Sequence, residues 1–227
     1  MNTVTLDFNG KKVELKATKI IAVARNYRAH ADEMGQSVSE NPNIFLKPPS
    51  AMISNNGVVI LPKMSNRVDY EVELAVVIKN RCCKVSPHEA LKNILGYTII
   101  VDITARDIQA KAIKTGLPWT VAKGFDTFAP IGPKIVPARD IDISNLDIWL
   151  KINGEFRQHS NTRNMIFPVK ELISYISKIM TLEPLDVIAT GTPEGVGPIQ
   201  HGDSIEAGIE GIGTLMFKAE QETVEGA

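Results

Sequence analysis

Apolar and polar residues alternate along much of the chain, and the most informative alternation is VDYEVELAVVI, residues 68–78. Successive side chains of a strand point to opposite faces. Asp69, Glu71 and Glu73 therefore share one face of a predicted strand. Neighbouring carboxylates repel one another unless solvent or a cation offsets their charge. The segment predicts either an edge strand with one face in water or a strand whose acids hold a cation.

The same pattern over the rest of the chain predicts more strands than helices. Asn-Gly pairs at residues 9–10 and 153–154 tolerate the positive φ angles of type I′ turns, so they predict two hairpins. A Ser-Pro-x-Glu capping signal predicts a helix over residues 86–95, and a helical apolar period predicts another over 167–181. The other predicted helices cover residues 29–36 and 105–116, and the other strands cover 19–27, 96–104, the start of 184–198 and 203–220. Strands that do not alternate regularly with helices predict a β-rich, mixed α+β domain.

Composition excludes several classes of protein. The 227 residues are 44% hydrophobic and 22% charged, with a net charge of −1. The absence of a basic stripe argues against a nucleic-acid partner, and no apolar run reaches the ~18 residues of a membrane span. Cys82 and Cys83 are adjacent and the four histidines are scattered, which argues against a Cys/His zinc site. The polar, alternating N-terminal segment is unlike a signal peptide, so we expect a reduced, cytoplasmic protein.

A further acid stands at the end of a predicted buried strand. Asp102 follows the apolar run of GYTIIV, residues 96–101. Thr104 is the better candidate for the N-cap of the next helix, which leaves Asp102 as a candidate ligand. Buried carboxylates stay ionised when they are paired or bound to a metal. Oxygen ligands with room for water suit Mg²⁺ or Mn²⁺ rather than Zn²⁺.

Three polar residues that follow Asp102 could bind an anion. Arg106 and Gln109 share one face at the start of a predicted helix, and a helix N-terminus favours anions. Alternatively, this face is solvated and Arg106 pairs with Asp102 or Asp107. Lys123 lies among apolar and aromatic residues in WTVAKGF; its ammonium group either extends to water or, beside a metal, binds a substrate anion.

Two other segments each allow a structural or a functional interpretation. ATGTPEGVGP, residues 189–198, follows an apolar strand and is either a tight turn or a loop that offers backbone N–H groups. It lacks the sequence of a phosphate-binding P-loop and of a dinucleotide-binding loop. His30 and Glu33 lie three residues apart, as a weak surface pair or as a base oriented by a carboxylate.

A series of segments, taken in order, resembles one known enzyme family. They are RNYRAHADEM, FLKPPSAM, DYEVELAVVI, GYTIIVDITARDIQ, GLPWTVAKGFDTFAPIGP, LKINGEFRQ, MIFPVKELISYIS and ATGTPEGVGP. Together they resemble the fumarylacetoacetate hydrolase superfamily, in particular its short, single-domain acylpyruvase and oxaloacetate decarboxylase branch. The similarity runs from about Lys19 to about Lys218. It implies a mixed β-sandwich roll with a few short helices, a homodimer, a catalytic domain over residues 19–220 and a hairpin extension over residues 1–18.

The resemblance also implies roles for individual residues. The positions that match the family's metal carboxylates are Glu71, Glu73 and Asp102. The positions that match substrate contacts are Arg106, Gln109, Lys123, Gly191 and Thr192. The positions that match catalytic residues are His30 and Glu33, a dyad on a mobile lid segment, together with Lys123. Asp69 falls where relatives often have another residue, and no ligand role is transferred to it.

The implied activity uses Mg²⁺ or Mn²⁺, with Ca²⁺ as a possible substitute in crystals, on a small 2-oxo acid. The metal stabilises an enolate as a Lewis acid. The expected reactions are C–C bond hydrolysis of acylpyruvates, such as fumarylpyruvate or acetylpyruvate, and decarboxylation of oxaloacetate. The alternative is isomerisation or decarboxylation of 2-hydroxyhepta-2,4-diene-1,7-dioate. A metal- or anion-binding protein without catalytic activity is the alternative from a different class.

Overall fold

The protein is β-rich, as a computed structural model that describes residues 4–33, 35 and 39–223 shows. Its strands are β1 (Thr5–Phe8), β2 (Lys11–Glu14), β3 (Ile20–Ala24), β4 (Asn43–Lys47), β5 (Met52–Ile53), β6 (Gly57–Leu61), β7 (Val68–Tyr70), β8 (Val72–Ile78), β9 (Ile94–Val101), β10 (Thr104–Ala105), β11 (Ala129–Pro137), β12 (Asp147–Ile152), β13 (Glu155–Asn161), β14 (Val187–Ala189), β15 (Gly197–Pro198), β16 (Ser204–Ile209) and β17 (Gly213–Gln221). Its helices are α1 (Arg28–Glu33), α2 (Pro87–Ala90), α3 (Arg106–Thr115), α4 (Thr120–Lys123) and α5 (Val169–Ile179). Short 3₁₀ turns lie at Pro49–Ala51, Leu91–Asn93, Ile143–Asn145 and Thr162–Asn164.

The strands of the described chain form three sheets. The largest has the order β2-β1-β11-β9-β8-β14-β3-β4, with β5 paired to β11. A smaller sheet has the order β13-β12-β16-β17-β6, and a short one has the order β10-β7-β15. Parallel and antiparallel pairs occur together, since β14 runs parallel to β3 and antiparallel to β8. The mixed sheets with a few short helices confirm the predicted fold class.

Both Asn-Gly hairpins form where the sequence predicts them. Asn9 and Gly10 have φ angles of 54° and 74°, and Asn153 and Gly154 have 51° and 86°. These positive angles are the ones that a type I′ turn requires at both central residues. The first hairpin is not isolated, because β1 pairs in parallel with β11 of the large sheet.

The acidic segment of residues 68–78 is two strands rather than one. It breaks at Glu71, so that β7 lies in the short sheet and β8 lies in the large one. The edge-strand interpretation is wrong, because β8 lies between β9 and β14 and all of its residues are buried. Alternate residues of β8 contribute to two different apolar clusters, Leu74 and Val76 to one and Ala75 and Val77 to the other. Burial on both faces leaves Glu73 only 2% exposed.

The predicted helices are confirmed in part. Helix α5 buries the predicted apolar face, although Ile179 in its last turn is 53% exposed. Helix α3 ends at Gly116, whose φ of 69° suits a glycine C-cap. The helix predicted over 86–95 is too long: α2 has the capping box, but Ile94 already pairs with Ile78 in the large sheet. The end of the helix predicted over 29–36 falls partly on residues 34 and 36, outside the described residues.

No helix in the described ranges is long and apolar enough to cross a membrane.

Candidate metal centre and substrate cleft

Strand register brings the predicted acids together. Val72 of β8 lies opposite Val101 of β9, and the amide N of Asp102 donates to the carbonyl O of Glu71 at 2.8 Å. The residues just before β8 and just after β9 are therefore neighbours. Glu71, Glu73 and Asp102 each offer an oxygen, and these oxygens lie within 4.8 Å of one another. All three residues are buried, at 6%, 2% and 0% exposure.

Lys123 lies directly against this carboxylate cluster, which is defined as Glu71, Glu73 and Asp102. Its Nζ donates to Glu71 Oε2 at 2.9 Å, to Asp102 Oδ2 at 2.5 Å and to Thr104 Oγ1 at 2.6 Å. The alternative in which this ammonium group extends to water is wrong, because its side chain is only 2% exposed. Burial would lower the pKa of Lys123, but the charges of Asp102 and Glu71 raise it overall.

Thr104 does not cap helix α3. Ala105 occupies the N-cap position and makes no side-chain cap bond. Thr104 instead donates from Oγ1 to the carbonyl O of Asp102 at 3.1 Å while it accepts from Lys123. The Thr104 hydroxyl, which suggested the start of a helix, therefore orients Lys123 beside the cluster.

Arg106 connects the cluster to Asp69. Its Nε donates to Asp69 Oδ2 at 2.8 Å, its Nη2 donates to Glu71 Oε1, and its Nη1 donates to Gln109 Oε1 at 2.6 Å. The pairing with Asp102 or Asp107 considered from the sequence is therefore wrong. Asp69 is fully buried and is held by Arg106 from one side, which gives this acid an orienting role outside the cluster.

Lys47 is a buried cation of the site that the sequence analysis missed. Its Nζ lies 2.8 Å from Asp102 Oδ1 and donates to the carbonyl O of Ile103 at 3.1 Å and of Lys123 at 2.5 Å. Asp102 Oδ1 accepts no hydrogen bond from a described residue, so the contact with Lys47 is electrostatic only. The segment FLKPPSAM contains this lysine, but neither periodicity nor spacing indicates which face of β4 is buried.

The two glutamates of the cluster differ in their electrostatic environment. Burial opposes ionisation of Glu71, yet Lys123 and Arg106 hold its pKa well below the ordinary value. Burial and the nearby charges of Asp102 and Glu71 raise the pKa of Glu73. A bound divalent cation would offset this repulsion, and an oxygen-only donor set suits Mg²⁺ or Mn²⁺. Asp102 Oδ1, which accepts no hydrogen bond from a described residue, and the Glu73 carboxylate, which lies beside two other acids, thus fit a hard cation.

The loop after β14 is tied to the acidic strand by a glutamine that the sequence analysis did not assign. Gln158 of β13 is buried and donates from Nε2 to Thr192 Oγ1 and to the carbonyl O of Pro193, both at 2.9 Å. Its Oε1 accepts from the amide N of Val72, between the two glutamates, at 3.0 Å. Gly191, with φ at 96°, donates its amide N to Glu73 Oε2 at 2.6 Å.

His30 and Glu33 lie close together without a hydrogen bond between them. His30 Nδ1 is 3.5 Å from Glu33 Oε2 and has no hydrogen-bond partner among the described residues. The imidazole is buried at 7% exposure, whereas the Glu33 side chain is 39% exposed and accepts from the amide N of Gly195. The weak surface pair considered from the sequence therefore does not describe His30.

One cleft joins these groups. His30, Gln109, Arg106, Lys123, Thr192 and the whole carboxylate cluster line it. Its other lining residues are Val23, Ala24, Arg25, Phe45, Ile113 and Trp119. Gly191 and Glu33 are not among these lining residues, but Gly191 is hydrogen-bonded to Glu73 and Glu33 to Gly195 of the loop after β14. The arrangement presents anionic oxygens, cationic groups and an imidazole to one small molecule.

Comparison with known proteins places this architecture in a family. Residues 19–219 match the model of the fumarylacetoacetate (FAA) hydrolase C-terminal family. A mitochondrial oxaloacetate tautomerase of Arabidopsis thaliana is 50% identical over 206 residues, which cover 91% of this chain and 92% of the relative.

Solved structures agree with the sequence match. A fumarylpyruvate hydrolase of Pseudomonas aeruginosa, in complex with Mn²⁺ and pyruvate, superimposes with a TM-score of 0.91 at 33% identity, covering 97% of this chain and 96% of that one. A 2-hydroxyhepta-2,4-diene-1,7-dioate isomerase of Mycobacterium marinum superimposes with a TM-score of 0.83 at 40% identity, covering 95% and 83%. Because the family model matches residues 19–219 and a relative is 50% identical over 91% of the chain, the chain belongs to the fumarylacetoacetate hydrolase family.

Proposed function

We propose that the protein is a divalent-metal-dependent enzyme that acts on 2-oxo acids through an enolate. The observation that carries this proposal is the buried cluster of Glu71, Glu73 and Asp102 in the lining of a cleft. Three carboxylates of one sign are costly to bury unless they bind a cation. The metal is proposed to be Mg²⁺ or Mn²⁺; Mn²⁺ is present in the related structure from Pseudomonas aeruginosa.

The proposed roles follow from what each side chain contacts. A divalent cation held by the three carboxylates would supply Lewis-acid stabilisation of the negative charge that develops on the keto oxygen. Lys123, already bonded to Glu71 and Asp102, adds positive charge beside the reacting carbons. Arg106 and Gln109 are hydrogen-bonded to each other and orient the substrate carboxylate, and Thr192, which also lines the cleft, contributes a hydroxyl.

Oxaloacetate is the substrate we propose first. The Arabidopsis thaliana relative is named an oxaloacetate tautomerase, and removal of a proton from C3 of oxaloacetate gives an enolate. Loss of the C4 carboxylate as CO₂ gives the enolate of pyruvate, so decarboxylation uses the same stabilisation. The same charges in the cleft therefore support both reactions of this substrate.

Hydrolysis of acylpyruvates is the second candidate, and the buried imidazole of His30 favours it. With Glu33 3.5 Å away, His30 is placed to accept a proton from a water that attacks the distal carbonyl. Cleavage of the C3–C4 bond then leaves pyruvate as its enolate and releases a carboxylic acid. The Pseudomonas aeruginosa neighbour is named a fumarylpyruvate hydrolase. Isomerisation of a hydroxydienedioate, the reaction that the Mycobacterium marinum neighbour's name gives, is a proton shift at the same site.

A substrate panel with the His30→Ala variant tests these candidates. The panel contains oxaloacetate in its keto and enol forms, acetylpyruvate, fumarylpyruvate and 2-hydroxyhepta-2,4-dienedioate, with Mg²⁺ or Mn²⁺ and with EDTA, followed by ultraviolet absorbance. We expect metal-dependent turnover, and a fall of ~10²–10⁴ in hydrolysis for His30→Ala, the usual contribution of a general base.

His88→Ala, at an exposed histidine, is the matched control. Turnover that EDTA leaves unchanged would contradict a metal-dependent reaction, and metal binding without turnover of any compound would favour a binding protein. Hydrolysis unchanged in His30→Ala would remove the second candidate.

The homodimer, the cytoplasmic location and the boundary between residues 18 and 19 remain predictions. The boundary coincides with the start of the family match, although β1 contributes to the large sheet.

A further inference from the structure

Arg25 lines the cleft in an unusual backbone conformation. It follows β3 directly, lies in the lining beside Val23 and Ala24 and has a φ of 59°. A left-handed conformation is unfavourable for residues other than glycine, asparagine or aspartate. Such residues persist only where the surrounding structure holds them, and they cluster at functional sites.

The next residue fixes this turn in place. Asn26 is fully buried, and its Nδ2 donates to the carbonyl O of Thr190 at 2.8 Å and of Phe167 at 3.1 Å. Its Oδ1 accepts from the amide N of Phe167 at 2.7 Å, and its carbonyl O accepts from the amide N of Ile166 at 2.7 Å. Four hydrogen bonds therefore hold the backbone that carries Arg25, so its side chain starts from a fixed point at the wall of the cleft.

Arg25 differs from the other cations of the site in having no anionic partner among the residues that the structure describes. Arg106 and Lys123 are each paired with carboxylates of the site, and Lys47 lies against Asp102. Arg25 forms no ion pair and no side-chain hydrogen bond with any described residue. Arg25 thus brings to the cleft a positive charge that no described residue compensates.

We propose that Arg25 determines specificity by binding the carboxylate at the far end of the substrate, so that the enzyme selects 2-oxo diacids over 2-oxo monoacids. This inference rests on the proposed action on 2-oxo acids. The head of the substrate, with its carboxylate and keto group, has Arg106, Gln109 and Lys123 at the carboxylate cluster. Arg25 forms no ion pair with that cluster and follows β3, whereas Arg106 and Gln109 lie on α3 and Lys123 lies on α4, so Arg25 is placed to meet a different part of the ligand. A planar guanidinium binds a carboxylate through two parallel hydrogen bonds.

Two pairs of unreactive ligands isolate this contact. 2-Oxopentanoate and 2-oxoglutarate share a five-carbon chain, and 2-oxohexanoate and 2-oxoadipate share a six-carbon chain; each pair differs only in a terminal methyl or carboxylate group. Their dissociation constants are measured by calorimetry with the Mn²⁺-loaded wild type, with Arg25→Gln and with Arg25→Lys. Arg28→Gln is the matched control, since Arg28 is exposed on α1 and lies outside the cleft lining.

We expect the wild type and Arg28→Gln to bind at least one diacid about 10- to 100-fold more tightly than its monoacid, the range of a charge-assisted pair. Arg25→Gln should bind both members of that pair with equal affinity, at the level of the monoacid. Arg25→Lys should keep part of the preference for the diacid, because lysine keeps the positive charge but cannot donate two parallel hydrogen bonds to one carboxylate. Mn²⁺ affinity and the thermal midpoint should be the same in all four proteins.

Two results overturn the inference, and they are distinguishable from a failure of the proposed function. A wild type that binds 2-oxo acids and turns them over, but shows no preference for either diacid, removes the role of Arg25 and leaves the proposed function standing. A diacid preference that survives in Arg25→Gln does the same. A wild type that neither binds nor turns over any 2-oxo acid removes both proposals.

Discussion

Two buried acidic regions of this protein, each beside an apolar strand, differ in the hydrogen bonds that their carboxylates accept. Asp186 precedes β14 and is a lone acid at the opposite end of that strand from the β14–β15 loop. The carboxylate cluster of Glu71, Glu73 and Asp102 contains three acids. Both sites are deeply buried, so the difference lies in the donors that face them.

Asp186 has more donors than a single carboxylate commonly receives. Its Oδ1 accepts from the amide N of Thr18 at 2.9 Å, from Thr18 Oγ1 at 2.7 Å and from the amide N of Lys19 at 3.1 Å. Its Oδ2 accepts from Lys19 Nζ at 2.5 Å and from the amide N of Glu183 at 2.8 Å. These bonds connect the residues before β3 to the residue before β14, so Asp186 stabilises the fold.

The carboxylate cluster accepts fewer hydrogen bonds per carboxylate than Asp186 does. Within the described chain, its three carboxylates together accept four side-chain or backbone hydrogen bonds, from Arg106, Gly191 and twice from Lys123. Asp102 Oδ1 accepts none, and the pKa of Glu73 is raised by burial and by its acidic neighbours. Buried acids with complete donor shells stabilise the fold, whereas acids with incomplete shells mark a place for a cation.

The largest expected effect, a loss of Mn²⁺ affinity, comes from Glu73→Gln. The amide keeps an oxygen that can accept from Gly191 and removes one negative charge from the cluster. We therefore expect Mn²⁺ affinity to fall by more than the ~10–100-fold that follows loss of an outer-shell partner. The thermal midpoint of the metal-free protein should not fall, because the substitution removes repulsion. Calorimetric titration with Mn²⁺ and a thermal melt in EDTA give both quantities.

Glu220→Gln is the control for Glu73→Gln, since Glu220 is exposed on β17. If Glu73→Gln bound Mn²⁺ as the wild type does, or if it melted well below the wild type without metal, the cluster would be a structural site like that of Asp186.

An effect of intermediate size, on stability and on kcat, is expected for Gln158→Leu. The leucine leaves the amide N of Val72 and the hydroxyl of Thr192 without the partner they have now. Because a buried group without its partner costs about 1–3 kcal/mol, we expect a loss of stability of that size. Movement of the β14–β15 loop, which Gln158 holds, should also reduce kcat more than Mn²⁺ affinity. Denaturant unfolding, steady-state kinetics and Mn²⁺ titration separate these effects.

Gln200→Leu, at an exposed glutamine in the turn after β15, is the matched control for Gln158→Leu. An unfolding free energy equal to that of the wild type would show that the loop is held by other contacts.

The smallest effect on activity, with a defined pH dependence, is expected for Asp186→Asn. Burial opposes the charge of Asp186, but hydrogen bonds from Lys19, Glu183 and Thr18 hold its pKa below the ordinary value. A lowered pKa in the folded state contributes stability above the unfolded-state pKa of about 3.9. That contribution disappears as the pH falls through the folded-state value. The variant should lose about 1–3 kcal/mol at pH 7, and the difference from the wild type should shrink below about pH 4.

Urea unfolding at a series of pH values measures this difference, with Asp140→Asn at an exposed aspartate as control. Mn²⁺ affinity should match that of the wild type. A loss of Mn²⁺ affinity in Asp186→Asn would mean that the two acidic regions are coupled through β14. The distinction between a structural acid and a cation-binding cluster would then be wrong.

Local signals predicted the elements whose causes are local. The Asn-Gly hairpins, the glycine end of α3 and the apolar face of α5 depend on residues within a few positions of each other, and all of them form. The helix over 86–95 has a correct start for the same reason. Its end is set by a distant strand, because Ile94 pairs with Ile78.

The site was predictable to the extent that its residues are unusual for their position. Acids in apolar runs, such as Glu73 and Asp102, stand out in any strand prediction. Lys47, Gln158 and Arg25 do not, because a single polar residue in a strand or turn is ordinary. Their importance depends on which face is buried and which atoms lie opposite.

The sequence alone determined that the chain is β-rich, where its tight turns fall, and that carboxylates of a type suited to a hard cation lie in apolar surroundings. The tertiary structure decided that residues 71, 73 and 102 meet, because the register of β8 against β9 closes a distance of about thirty positions along the chain. It also decided that cations and amides pair with Asp69 and Asp186, whereas among the described residues Asp102 Oδ1 accepts no hydrogen bond and Glu73 forms no ion pair. Hydrophobic period and turn chemistry act between near neighbours, whereas charge satisfaction depends on every group that folding brings within a few ångströms.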